Sequence, residues 1–403
     1  MIVSEPTDAL RKVLDINELL KAFNSSSKIG HWKRSYQIIL HDKLEQCLRL
    51  QESVLNGTYH LTIKEAFILC ERGKIRYIRS LELHHMALQK SLCNNIIIPR
   101  LKNTLIYDNG ASLKGKGVGF AKKRFEKHLK LLYRFSNYNA SNCYILFGDF
   151  SKFFDNIDHN IIKEQLRKLI PEDDIFENII LDWLRASRTD VSYMTDEEFE
   201  EAKYGVFNSI EHEKKIRSIP KKNRIKGKKI LCKGLGIGAQ LSQVAGIMYL
   251  NPFDHYCKEV LHCKLYGRYM DDFYIMTTDK NVLKGLIPKL QEKAKELKLQ
   301  LHPKKFRICK LSSGVTYLKT KYKFIGRKLL RFINPKIITK QSRKITKFHK
   351  LLLEGRMCFT DILKQFKGWL GEYGSRYFTN RKAIYKLKMK FKNTFGVDID
   401  HYK

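Results

Sequence analysis

The chain has 403 residues, 43% of them hydrophobic, so it is long enough for roughly two or three packed domains and too apolar for extensive disorder. It carries 77 Lys and Arg against 41 Asp and Glu, a formal charge of +36. Such an excess repels itself unless a polyanion neutralises it, which points to nucleic acid. The basic residues are spread along the chain rather than gathered on one amphipathic helix, which argues against a membrane surface.

No apolar run approaches the ~20 residues that span a bilayer, and the start, MIVSEPTDALRK, lacks the apolar core of a signal peptide. None of the nine Cys forms a CxxC pair, so reduced thiols are expected rather than zinc ligands. Together these imply a cytoplasmic location.

In chain order, residues 8–55 show helical apolar spacing. Residues 61–79 alternate and turn at Gly73, the pattern of a β-hairpin. A helix is expected over 80–98, stopped by Pro99, followed by a Gly-rich loop (NGASLKGKG) and a basic helix. NCYILFGDF reads as a buried strand, with helices at 158–170 and 172–187. Residues 188–233 are highly charged and read as a surface excursion with a basic hairpin; the acidic run at 196–202 reads as solvated surface. GLGIGAQLSQVAGIMYL is a Gly loop entering a long helix, and KLYGRYMDDFYIMTTD is strand, tight turn, strand. A helix at 280–298, strand-like LQLHPKKFRICKL and YKFIGRKLL, and basic helices from 336 complete the chain. The class is α+β.

Asp271 and Asp272 stand together on a tight turn between apolar runs. An Asp pair alone most often simply favours a turn. Buried like charges, however, repel at considerable cost unless a cation lies between them. Asp149, after the apolar strand CYILFG, supplies a third carboxylate, and two such strands side by side would make a two-metal site for phosphoryl transfer.

GDFSKFFDNIDH, GIGAQLSQVAGIMYL and YGRYMDDF, in that order, resemble the catalytic motifs of reverse transcriptases. The resemblance extends from about Arg76 to about Arg376 and implies a right-hand polymerase: N-terminal helices and fingers at 1–142, a palm at 143–335 carrying the insertion at about 188–233, and a thumb at 336–403. It implies catalysis by Asp149, Asp271 and Asp272, and a metal set of Asp149, Phe150, Asp271 and Asp272 holding two Mg²⁺, with Mn²⁺ as the alternative. Phe154 matches the aromatic residue that rejects a ribose 2′-hydroxyl; by itself it could equally be a core Phe. Lys74 and Arg76 fall where the family contacts the incoming triphosphate, although Tyr77 replaces the usual Pro. Gly238, Ser242 and Gln243 match the motif lining the nucleotide, and Lys304 or Lys305 in HPKK matches a leaving-group acid. YKFIGRKL resembles the primer grip and WLGEYGSRY part of the thumb. Lys114 and Lys116 suit a basic fingers motif or a solvated loop, and Lys222, Arg224 and Lys226 suit RNA phosphates or a loop that aids solubility. Asp155 and Asp158 are expected to cap the following helix, and His84-His85 to be structural.

Ile237-Gly-x-x-x-Ser-Gln resembles the diversity-generating-retroelement and phage-defence (abortive-infection-like) branches of bacterial enzymes. The implied function is RNA-directed synthesis of DNA from dNTPs, on an RNA template such as a structured non-coding RNA, in anti-phage defence. Mutagenic retrohoming, template-independent synthesis and an RNA-binding scaffold with a vestigial polymerase fold are the rivals. An accessory protein or a second copy of the chain are further expected partners. With about 25 residues after Arg376, no nicking domain is expected.

Overall fold

Helical apolar spacing near the start is matched by side-chain caps. Thr7 accepts from the Leu10 amide at 3.3 Å to open the helix Asp8–Leu14, and Asp15 accepts from Glu18 at 3.0 Å to open Ile16–Ser27. Helices Arg34–His41 and Lys43–Leu55 follow. Leu10, Leu19, Phe23, Leu50 and Leu88 are buried, and the helix Leu83–Leu92 packs on Ile16–Ser27. The computed structural model describes residues 7–28, 30, 32–71, 74–374 and 377–400; Gly73 of the expected hairpin turn, and Ser375 and Arg376 of WLGEYGSRY, lie outside them.

Two compact units divide the chain. The first holds residues 1–121, 147–274 and 284–307; the second holds 122–146, 275–283 and 308–403.

In the first unit, Ile63–Glu71 pairs antiparallel with Lys74–Leu81. His85 is buried at the hairpin's base, where its ring meets the Tyr59 hydroxyl at 2.9 Å and the Thr62 amide at 3.3 Å, a structural role. Pro99 does not stop the next helix. After Leu92 the backbone widens into a π-helical turn over Cys93–Ile97, and Pro99 sits at the start of the short helix Ile98–Leu101, where its missing N–H costs little.

A four-stranded sheet runs in the order Tyr266–Tyr269, Asp272–Thr277, Tyr144–Gly148, Arg307–Lys310. Glycines allow its close approaches: a Cβ on Gly148 would lie 2.2 Å from the Phe273 ring, and one on Gly267 would lie 2.5 Å from the Tyr274 hydroxyl. The Gly loop feeds the helix Gln240–Tyr249, continued by Asn251–His255.

Residues 188–233 are more than a basic hairpin. The strands Thr189–Asp190 and Ile230–Leu231 pair at its base, and between them stand the helices Asp196–Tyr204 and Ser209–Ser218. The acidic run is helical because Thr195 and Glu198 form a reciprocal capping box at its start. Val191, Phe207 and Leu231 make a small core of the insertion's own, with Tyr193 and Phe199 packed against it. Asn156 secures it: its side-chain amide donates to the Phe207 carbonyl at 3.0 Å and its oxygen accepts from the Phe207 amide at 2.8 Å. Asp158 caps His159–Arg167, as expected. Asp155 does not; its carboxylate instead accepts from the Ser209 amide at 3.1 Å and hydroxyl at 2.8 Å.

In the second unit, most of the helix Val118–Phe135 joins a sheet ordered Lys328–Ile333, Thr320–Ile325, Val315–Tyr317. Glu126 receives Arg331 at 2.6 Å and the Tyr377 hydroxyl. Helices Pro335–Leu353, Phe359–Tyr373 and Arg381–Phe395 close over Ile345, Phe348, Ile362, Phe366 and Phe391.

Replacing Asn156 by Ala would leave both buried backbone groups of Phe207 unpaired, at about 1–3 kcal/mol. We expect limited proteolysis of Asn156→Ala to cut within 196–229 faster than in the parent chain; equal cutting would show that the small core holds the insertion unaided.

Candidate active site

The turn between Tyr269 and Asp272 is held from below. Arg268 and Asp254 are both fully buried and paired at 2.6 and 2.7 Å, and the Tyr266 hydroxyl donates to the same carboxylate at 2.5 Å. Arg268 also donates to the Met270 carbonyl at 2.8 Å and the Ile247 carbonyl at 3.0 Å. Met270 has a φ of 54°, the left-handed region that side chains rarely enter, so the turn is tight and needs this support. Sequence reasoning passed over both Arg268 and Asp254. The signal available was a charged residue in or close behind an apolar run: Arg268 within Tyr266–Tyr269, and Asp254 shortly after residues 244–250.

The turn delivers Asp271 and Asp272 beside Asp149, which follows the adjacent strand and is 2% exposed. Asp149 is fixed through its backbone, whose carbonyl accepts from the His302 amide at 2.7 Å; Ser151 donates to the Gln300 carbonyl at 2.8 Å. The three carboxylates feel one another. Burial, then the charges of Asp149 and Asp272, push Asp271 up to about 7. Desolvation by neighbouring atoms, then Asp149, raises Asp272 to about 6, against the pull of Lys305 and Lys74. Lys305 forms an ion pair with Asp149. Burial alone would lower its ammonium, but Asp149, with Asp272 and Asp271, outweighs this and raises it.

Among the described residues, no three His, Cys, Asp or Glu side chains are gathered tightly enough to hold a metal ion as they stand. The residues nonetheless suit a hard divalent cation in type. Asp149 Oδ1 is buried without a hydrogen-bond partner, and Asp271 and Asp272 bear the repulsion that a cation would relieve. The Phe150 ring packs in an aromatic cluster, 5.3 Å from Phe253 and 5.8 Å from Phe273, so only its backbone could serve as a ligand.

Phe154 is half-buried and lies on the helix Gln240–Tyr249, where a Cβ at Gly246 would come within 3.2 Å of its ring. Gly246 is thus a third residue the sequence reading missed, after Arg268 and Asp254. On the same helix Gln243 is exposed and Ser242 buried. Gly238 has a φ of 142°, and its neighbour Ile237 bridges to Ile78 of the hairpin.

The remaining candidates divide. Lys74 is exposed and its charge reaches Asp272; Arg76 is half-buried within the hairpin. Lys304 is exposed, whereas Lys305 is engaged with Asp149. Lys114 is exposed, but Lys116 turns inward, donating to the Tyr107 carbonyl at 2.6 Å with its ammonium 3.8 Å from the Phe120 ring centre. Lys222 and Lys226 are exposed on the insertion, and Arg224 donates to the Ile219 carbonyl at 3.0 Å.

A family model described as reverse transcriptase (RNA-dependent DNA polymerase) matches residues 79–329. The chain belongs to this family. The match takes in the three aspartates of this reverse transcriptase, whereas Lys74, Arg76 and the helices after 335 lie outside it. No curated protein sequence matches the chain. Among solved structures, the chain is similar to a telomerase from Candida albicans in complex with a fragment of telomeric RNA, at 13% identity and a TM-score of 0.41. That similarity covers 90% of this chain and 66% of the telomerase chain, just under two thirds of its length. No helix among the described residues is long and apolar enough to cross a membrane.

The crowding of carboxylates has a measurable sign. Asp271 holds its proton more tightly folded than unfolded, so its contribution to stability is present at low pH and is lost as pH rises from about 4 through about 7. In chelator, Asp271→Asn should therefore melt higher than the parent chain at pH 8 and at nearly the same temperature at pH 5. A variant melting lower at pH 8 would contradict the repulsion described.

Proposed function

We propose that this reverse transcriptase is an RNA-directed DNA polymerase, joining the 3′-hydroxyl of a growing strand to the α-phosphate of a dNTP with loss of pyrophosphate. The observation that carries this reading is the convergence of Asp149, Asp271 and Asp272, with Asp271 raised to about 7 by burial and by the other two carboxylates. Asp149 and Asp271 would hold two divalent ions, Mg²⁺ by ligand type, with Asp272 and the Phe150 carbonyl in support. When bound, such ions stabilise the charge on the attacking and leaving oxygens.

The chain's own residues supply position and protons. Phe154, braced by Gly246, would lie against the sugar C2′ and disfavour a ribose hydroxyl. Gln243, exposed on the same helix, and the open backbone at Gly238 suit a nucleotide approaching closely. Lys305, charged at neutral pH beside Asp149, is the better candidate of the HPKK pair to protonate departing pyrophosphate. Lys74 is close enough for its charge to act on Asp272 and suits the triphosphate. Under this reading residues 1–142 act as fingers, 143–335 as palm and 336–403 as thumb. The +36 charge suits an RNA template and a DNA product. The Ile237-Gly-x-x-x-Ser-Gln motif supports a bacterial defence or diversity-generating role in the cytoplasm, with a structured non-coding RNA as template.

Asp149→Asn and Asp271→Asn should each abolish dNTP incorporation on an RNA template while circular dichroism stays unchanged. Incorporation by both folded variants would remove the metal-site assignment.

Phe154→Val should raise incorporation of rNTP relative to dNTP by roughly tenfold or more, since the contact with the 2′-hydroxyl is worth about 1.4 kcal/mol or more if it excludes that group. An unchanged ratio in an active enzyme would return Phe154 to a packing role.

A further inference from the structure

A cavity of about 400 Å³ opens in the first unit between the end of the insertion's first helix and residues 295–300. That volume lies in the ~300–1,000 Å³ range of small-molecule sites. Three lysines line it, Lys203, Lys295 and Lys298, and no acidic residue does. Their pairings are weak ones. Lys203 meets Glu200 one helical turn away at 3.1 Å, and Lys298 meets Asp158 at 2.8 Å, both lysines about half exposed. Pairs made by such half-exposed lysines contribute little, so a phosphate could replace either carboxylate at small cost.

Tyr204 stands at the rim with 77% of its surface exposed, and the Lys203 ammonium lies 4.9 Å from its ring centre. An exposed aromatic ring beside a cation is the pair of features on which unpaired bases stack. Val206 and buried Leu299 give the cavity an apolar wall suited to a sugar. The wall is firm. A Cβ on Gly205 would lie 2.7 Å from the Glu201 carbonyl, and buried Lys233 holds the Gly205 carbonyl at 2.8 Å. Gln300 and Asn156 line the other side, Asn156 being the residue that clamps Phe207.

We propose that this cavity is a second nucleic-acid site, distinct from the three aspartates. It takes one nucleotide unit, the base against Tyr204 and the phosphate among Lys203, Lys295 and Lys298. The unit comes from a single strand threading past the insertion or from a free nucleotide. Phosphate and stacking contacts read no sequence, so the site grips rather than selects.

The test uses Tyr204→Trp in the full chain, with Asp271→Asn and chelator present, so that neither metal nor extension enters the readout. It can therefore fail while the polymerase reading stands, and the reverse. The Trp signal, taken as the difference from the chain carrying Tyr204, is titrated with a short oligouridylate and with UMP. Saturable quenching is expected. Adding Lys203→Gln, Lys295→Gln and Lys298→Gln should weaken it by at least tenfold and, for the oligouridylate, reduce the log–log salt slope by about 0.7, the value for one neutralised phosphate on a single strand. Oligouridylate binding far tighter than UMP identifies a strand, and comparable affinities identify a free nucleotide; both support the site. Absence of quenching by either ligand, or quenching indifferent to the three replacements in a chain with unchanged circular dichroism, overturns it.

Discussion

A guanidinium and a carboxylate with no access to water shape the centre of this protein. Arg268 and Asp254 would each be very costly to bury alone; together, with the Tyr266 hydroxyl on the same carboxylate, they offset much of that cost. A pair of apolar residues of similar size could be at least as stable. What such residues could not do is bind the carbonyl oxygens of Met270 and Ile247 at once. The pair thereby ties a tight turn with a left-handed Met270 to the helix beneath it. The turn is in that sense a strained element whose support lies one layer down, as is common where side chains must be aimed at a reacting centre.

That support is needed because the groups it aims repel one another. Asp271 and Asp272 both hold protons above their ordinary range, and Asp149 leaves one buried oxygen without a partner. Lys305 answers part of the excess negative charge. Its position couples the segment after Gln300 to the strand that ends at Gly148, and the backbone bonds His302 to Asp149 and Ser151 to Gln300 make the same connection independently of charge. Stability has been given up locally in favour of a concentrated negative field, the usual compromise at a functional site.

Much of this was legible in the sequence because it rests on local pattern. The two aspartates on a turn between apolar runs, the strand before Asp149 and the Gly loop before Gln240 each carry their own signature, and their order is specific. What escaped the reading depends on contacts distant in sequence. Asp254 looks like an ordinary helix residue until Arg268 is folded against it. Gly246 is unremarked within an apolar helix until the Phe154 ring rests on it. The insertion was read by its average charge, which hid a few well-placed apolar residues, Val191, Phe207 and Leu231, and a capping box. Asp155 was placed by proximity to a helix start, but its neighbour in space is Ser209. Pro99 was read as a stop because a π-helical turn that accommodates proline leaves no local signature.

The two compact units are not successive stretches of chain. The backbone passes from one to the other at 121/122, 146/147, 274/275, 283/284 and 307/308. During synthesis the first unit lacks its last segment until Arg307 has emerged, by which time parts of the second are already made. The strand before Asp149 and the segment holding Lys305 must therefore wait for each other, since Asp149 and Lys305 stand 156 residues apart, a separation that slows folding through the entropy of closing so long a loop. Neither unit can be obtained by trimming one end of the chain. Dissection of this enzyme into working fragments would require rejoining distant segments rather than truncation.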